Sequence, residues 1–206
     1  MGFLAFFDAF LLCLVLSGAL HAEAPPPAVL EGDLIFQTSG SRQSLAIQRA
    51  TKSRYSHMGI IFREQDEYFV YEAVQPVKKT PLAEWIKRGK EGKFALRRLK
   101  ARAQILTPQT LAKMKEIATG YLGNEYDAHF AWDDERLYCS ELVWKIYQRG
   151  AGQEIGKLQK LGDFDLNDKL VQAQLRERFG SQVPLDETVI SPAAMLSSER
   201  LFAPAF

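Results

Sequence analysis

Two short apolar runs, residues 57–62 and 68–74, flank the polar stretch Arg63-Glu64-Gln65-Asp66-Glu67. No other pattern constrains the chain as much: alternating runs of this length, joined by a few polar residues, make a β-hairpin with one buried face. Met58, Ile60 and Phe62 share that face of the first strand, and Phe69, Tyr71 and Ala73 share it in the second. With the turn centred between Glu64 and Gln65, His57 lies opposite Glu72. Directly opposed side chains leave the same sheet face with Cβ atoms about 5 Å apart. A slip of one residue would separate the two. Gly59 beside them leaves room for the imidazole ring.

The other elements follow from their punctuation. Gly32-Asp33-Leu34-Ile35-Phe36 reads as a strand entered from a turn, and Ser41 caps a helix carrying Leu45, Ala46 and Ile47. Thr80-Pro81 starts a short helix as cap and first helical residue, and Thr107-Pro108 opens a longer one the same way. Residues 94–99 read as a further strand. Leu111, Met114, Ala118 and Tyr121 recur at helical spacing, and Leu142, Val143, Ile146 and Tyr147 form the stripe of a helix from Cys139 to Gly150. An amphipathic segment spans residues 166–179, and Ser191-Pro192 begins a last helix. Strands early and helices late predict an α+β domain rather than a doubly wound parallel one.

The first 24 residues hold an apolar core and a small-residue site at Ala22-Glu23-Ala24, the pattern of a secretory signal peptide, although Asp8 stands where a basic residue is usual. An uncleaved anchor is the other reading, with an apolar stretch marginal in length. Residues 25–30, with three prolines, form a stiff spacer, and 31–206 form one domain. The expected location is periplasm or cell envelope. Loss of Asp8 and Glu23 with the leader moves the formal charge from +1 to +3, which excludes a nucleic-acid signature. The basic stretch from Lys78 to Arg102 reads as a solvated face, or as a peripheral contact with an anionic membrane or polymer.

Without the leader and its Cys13, Cys139 is the one remaining cysteine. An oxidising compartment favours paired cysteines, so a solitary thiol there asks for a chemical reason. At a helix N-terminus, the dipole and free N–H groups favour a thiolate and can help hold an oxyanion. Each residue alone has an ordinary role: Cys139 as a small buried hydrophobe, His57 as a hydrogen-bonded histidine, Glu72 as a strand acid. Together they supply nucleophile, base and orienter. A zinc site is disfavoured, because no second cysteine remains and His129 lacks a ligand-spaced partner. No metal or cofactor is called for.

Gly32-Asp33-Leu34-Ile35-Phe36, Tyr55-Ser56-His57-Met58-Gly59-Ile60, Tyr71-Glu72-Ala73, Tyr126-Asp127, Tyr138-Cys139-Ser140-Glu141-Leu142 and Ser191-Pro192-Ala193 occur in an order that resembles the circularly permuted branch of the NlpC/P60 papain-like cysteine hydrolases, in particular its YiiX/YebB-like group. The resemblance implies a small antiparallel sheet or partial barrel packed against helices, with a Cys139–His57–Glu72 triad in the groove between them; Tyr126, from its placement ahead of the cysteine helix, is the candidate oxyanion or substrate contact, with a core aromatic as the other reading. It also implies amide hydrolysis, often of cell-wall peptides. The expected partner is therefore a peptidoglycan peptide or another envelope amide or acyl substrate. A lipid acyltransferase, phospholipase or thioesterase of the same superfamily, and a non-catalytic envelope binding protein, are the alternatives. Polar surroundings of Cys139 would favour a peptide, and an apolar channel an acyl chain.

Overall fold

A computed structural model describes residues 29–205; the leader and nearly all of the proline spacer lie outside them. The elements are β1 (Leu34–Gln37), α1 (Arg42–Thr51), β2 (His57–Glu64), β3 (Glu67–Glu72), β4 (Lys78–Pro81), α2 (Leu82–Arg88), β5 (Phe94–Leu99), α3 (Arg102–Ile105) and α4 (Pro108–Gly120). They continue with β6 (Glu125–Tyr126), β7 (Arg136–Leu137), α5 (Cys139–Ala151), β8 (Gln159–Lys160), α6 (Lys169–Phe179), β9 (Thr188–Val189), α7 (Pro192–Leu196) and β10 (Leu201–Phe202). An antiparallel six-stranded sheet, ordered β10-β5-β1-β2-β3-β4, is the frame, and the fold is α+β.

The alternation of the hairpin divides the sheet into two apolar faces. Leu34, Phe36, Met58, Ile60, Phe62 and Tyr71 point to the main core, where α5 lies on β2 with α4 alongside. Ile35, Ile61, Val70 and Leu96 point the other way and are covered by Trp85 of α2. A buried leucine-sized side chain contributes about 1.5–3 kcal/mol. Leu142, Val143, Ile146 and Tyr147, all without exposure, therefore hold α5 in place even though Glu141 and Lys145 are buried on the same helix. Asp33 is buried at the start of β1 and takes Nε and Nη2 of Arg98 at 2.8 and 2.7 Å, which ties β5 to β1.

The side-chain caps fall where expected at three helices. Ser41 accepts from Ser44 N, Thr107 from Thr110 N, and Ser191 from Ala194 N. Three other expectations are corrected. The hairpin turn is centred between Gln65 and Asp66, since Glu64 pairs with Glu67 and Ile60 with Tyr71. A two-residue turn with Gln65 at φ 52° suits the twist of the paired strands. Thr80 does not cap α2; it lies within β4, Pro81 stands at the cap position, and the Thr80 hydroxyl is bonded to Glu72. Gly150 does not end α5, which runs to Ala151 and stops at Gly152 with φ 63°. A Cβ on Gly150 would lie 2.4 Å from Cγ and 2.9 Å from Cα of Met114, so this glycine serves the close approach of α4.

Candidate active site

His57 opens β2, paired with Gln37 of β1. Continuing the observed register, Glu72 stands across from Gly59, and His57 is its diagonal neighbour on the same face rather than its direct opposite. The two-residue shift preserves the face, and diagonal neighbours remain within reach of long side chains. His57 Nε2 lies 2.6 Å from Glu72 Oε2. Gly59 is needed for the neighbouring strand rather than for the ring: a Cβ there would lie 2.3 Å from Val70 Cγ1 and 2.7 Å from Tyr71 O.

Glu72 has no exposed surface, and its carboxylate is held from four directions. Beyond His57, Oε1 accepts from Thr80 Oγ1 at 2.6 Å, while Oε2 accepts from Trp85 Nε1 at 2.9 Å and from Arg88 Nη2. Burial would raise this carboxyl, but the His57 hydrogen bond and charge, with Arg88 and Thr80, outweigh it and lower the pKa to about 2. Trp85 also stacks against the His57 ring, centroids 5.9 Å apart. Sequence reasoning missed these supports because α2 reaches Glu72 only by folding over the sheet; Thr80 reads as a cap and Arg88 as one of many surface cations.

Cys139 is the first residue of α5, following Tyr138 at the cap, and is a free, buried thiol. Below it, Glu141 accepts from Tyr138 N and lies 2.7 Å from Lys145 Nζ. Burial lifts Glu141 to about 8, which Lys145 opposes without cancelling. Cys139 is the other neighbour of His57 that acts on its protonation, beside Glu72. Burial disfavours the imidazolium, yet the hydrogen bonds and negative charge of these two partners raise His57 to about 9. With Nε2 on Glu72, Nδ1 is left for the thiol side. The structure thus brings the three residues together at the end of the sheet, with Glu72 and Trp85 on one side and α5 on the other.

Tyr126 sits on β6, parallel to β7, which leads into Cys139. Its backbone N–H donates to Gln75 Oε1 and its hydroxyl accepts from Gln43 Nε2, both at 2.6 Å. Burial, then the Cys139 charge, push its ionisation upward, so the hydroxyl keeps its proton. Gln43 and Gln75 were not legible as site residues: each comes from a distant loop or helix. Beside Cys139 and Tyr126 a cavity of about 100 Å³ opens between α1 and α6.

Residues 28–203 match the model of a family described as "Permuted papain-like amidase enzyme, YaeF/YiiX, C92 family". The chain belongs to that family. It is 48% identical over 170 residues, 82% of its length and 83% of the relative's, to a protein of Escherichia coli strain K12 named "Uncharacterized protein YiiX". The crystal structure of YiiX from Escherichia coli O157:H7, described as a metalloprotein of DUF1105, superposes with TM-score 0.81 at 47% identity, covering 85% of this chain and 96% of that one. The resemblance to the YiiX group is therefore borne out, and membership makes the chain a hydrolase of the cysteine peptidase or amidase type. The word metalloprotein describes that structure; among the described residues of this chain no three His, Cys, Asp or Glu side chains converge.

Proposed function

We propose that this chain is an exported cysteine amidase or peptidase acting on an envelope amide, with Cys139 as nucleophile, His57 as proton carrier and Glu72 as orienter. The single observation that carries the reading is His57 set between a thiol on the first turn of a helix, close enough to act on its protonation, and a buried, fourfold-bonded carboxylate. In the first half-reaction the Cys139 thiolate attacks the amide carbonyl. The N–H groups at the start of α5, with the protonated Tyr126 hydroxyl nearby, suit the oxyanion that forms. His57, as imidazolium, gives its proton to the leaving nitrogen as the C–N bond breaks. Water then attacks the thioester, His57 takes a proton from it, and the thiolate departs. The net reaction is amide plus water to acid plus amine. Glu72 stays ionised throughout and fixes the ring.

Intact-mass detection of an acyl adduct on Cys139, with peptidoglycan peptides and N-acyl amides as substrates, tests this reading. An adduct in wild type, lost in Cys139→Ala and slow to form in His57→Ala, is expected. Unchanged substrate turnover by Cys139→Ala would end it.

A further inference from the structure

We propose, on the strength of that reading of Cys139, that Gln43 is a positioning residue: by donating to the Tyr126 hydroxyl it turns the phenol proton toward the oxyanion formed at Cys139. A phenol hydroxyl has one proton to give and lone pairs with which to accept. Gln43 Nε2 lies 2.6 Å from the Tyr126 hydroxyl oxygen and donates to it. An amide N–H placed there occupies a lone pair and repels the phenol proton, which must point elsewhere. Among the described residues no acceptor is bonded to that proton. The hydroxyl lies close enough to Cys139 for the charge of the thiolate to act on it. The oxygen of an attacked carbonyl is therefore the acceptor left for it.

The fold fixes both ends of this contact. Tyr126 pairs with Leu137, which Tyr138 joins to Cys139, and the Tyr126 N–H is held by Gln75 Oε1 at 2.6 Å. The ring is thereby set relative to the nucleophile. Gln43 stands in the first turn of α1, whose start is capped by Ser41 on Ser44 N. Ser44 Oγ donates to Ser39 O at 2.6 Å, so at its 2.5 Å contact with Ser56 Oγ it accepts. Ser44 and Ser56 are both buried, and Ser56 directly precedes His57. α1 is thus anchored beside the strand that carries the proton carrier. A donor set in advance needs no reorganisation when charge develops. As Sγ attacks the carbonyl carbon, the C=O pair moves to oxygen and the Tyr126 O–H donates to it without giving up its proton. When the C–N bond breaks, the pair returns and that hydrogen bond weakens again.

The probe is p-nitrophenyl acetate, whose acetyl group passes to Sγ as p-nitrophenolate leaves; the acylation rate is read together with the acetyl adduct on Cys139. Tyr126→Phe should slow acylation about 10²-fold. Gln43→Ala, which lets the hydroxyl rotate, should slow it about tenfold. Gln43→Glu keeps the length of the side chain but can only accept, so it captures the phenol proton and should cost as much as Tyr126→Phe. In a Tyr126→Phe background Gln43→Ala should cost less than about twofold, because the group it acts through is gone. Iodoacetamide alkylation of Cys139 forms no oxyanion and should be as fast in Gln43→Ala as in wild type, with circular dichroism showing each variant folded. Equal losses from Gln43→Ala with and without the Tyr126 hydroxyl would overturn the proposal, as would wild-type acylation by Gln43→Glu, and either result leaves the amidase reading standing. No acetyl adduct on Cys139 in wild type, and no alkylation of it, would remove both.

Discussion

Glu72 has more hydrogen-bond donors than an orienting carboxylate requires, and their number explains its behaviour. Four donors hold it ionised while buried, so its charge is available to the His57 ring at every working pH. Glu72→Gln should keep the fold and lose turnover by roughly 10²–10⁴, because an amide can turn its N–H toward Nε2 and select the wrong tautomer. Wild-type kcat in a folded variant would assign the orienting role elsewhere. Trp85→Phe keeps a ring against His57 but removes one donor from Glu72. Turnover should fall about tenfold along with some loss of Tm, since Trp85 is fully buried in the second core cluster, and a Tm loss at constant kcat would make Trp85 a packing residue only. His57 must be protonated to release the amine. With its pKa raised to about 9, kcat should hold through neutrality and fall as pH passes that value; an alkaline fall centred near 6.5 would show that the partners do not act on the ring.

At the scale of elements, α5 depends on how closely α4 approaches it. Gly150→Ala places a methyl group inside Met114, and about 1–3 kcal/mol of stability should be lost, read as a lower urea midpoint; an unchanged midpoint would show that the helices can separate freely. The sequence makes the hairpin, the Ser41, Thr107 and Ser191 caps and the stripe of α5 visible, because each is written in local periodicity or punctuation. The turn centre is not visible: five consecutive polar residues without glycine leave it open by one position, which moves the pairing by two. His57 and Glu72 stay on one face only because an even shift preserves it. Thr80 and Gly150 mislead for a related reason, since a threonine before proline and a glycine late in a helix look like local signals while both serve partners far along the chain. The cavity beside Cys139 was equally hidden, being formed only when α6 folds against α1.

For the whole molecule, the buried charges set a pH profile. Glu72 is lowered from 4.5 to about 2, so its contribution is complete above 4.5 and is lost as pH falls toward 2. His57 is raised from 6.5 to about 9, so its contribution is complete below 6.5 and is lost as pH rises through 9. Glu141, raised to about 8, removes stability across the rise from 4.5 to 8. The His57 and Glu72 shifts correspond to about 3 kcal/mol each at most and that of Glu141 to about 5, and those of His57 and Glu72 share one interaction and do not add. The urea midpoint should therefore peak on the acid side of neutrality and decline at both pH 3 and pH 9; a flat profile would contradict this. The proposed export has its own check, an intact mass of the envelope form that starts near Glu23 or Pro25, against a full-length chain recovered from cytoplasm. The central claim, that Cys139 and His57 act as a pair, is tested most directly by the rate of Cys139 alkylation with iodoacetamide from acid to alkaline pH in wild type and His57→Ala. At pH 6 the wild type should react at least about tenfold faster than the variant, with the two converging in alkali. Superimposable profiles would contradict the pairing and leave Cys139 as a packing residue.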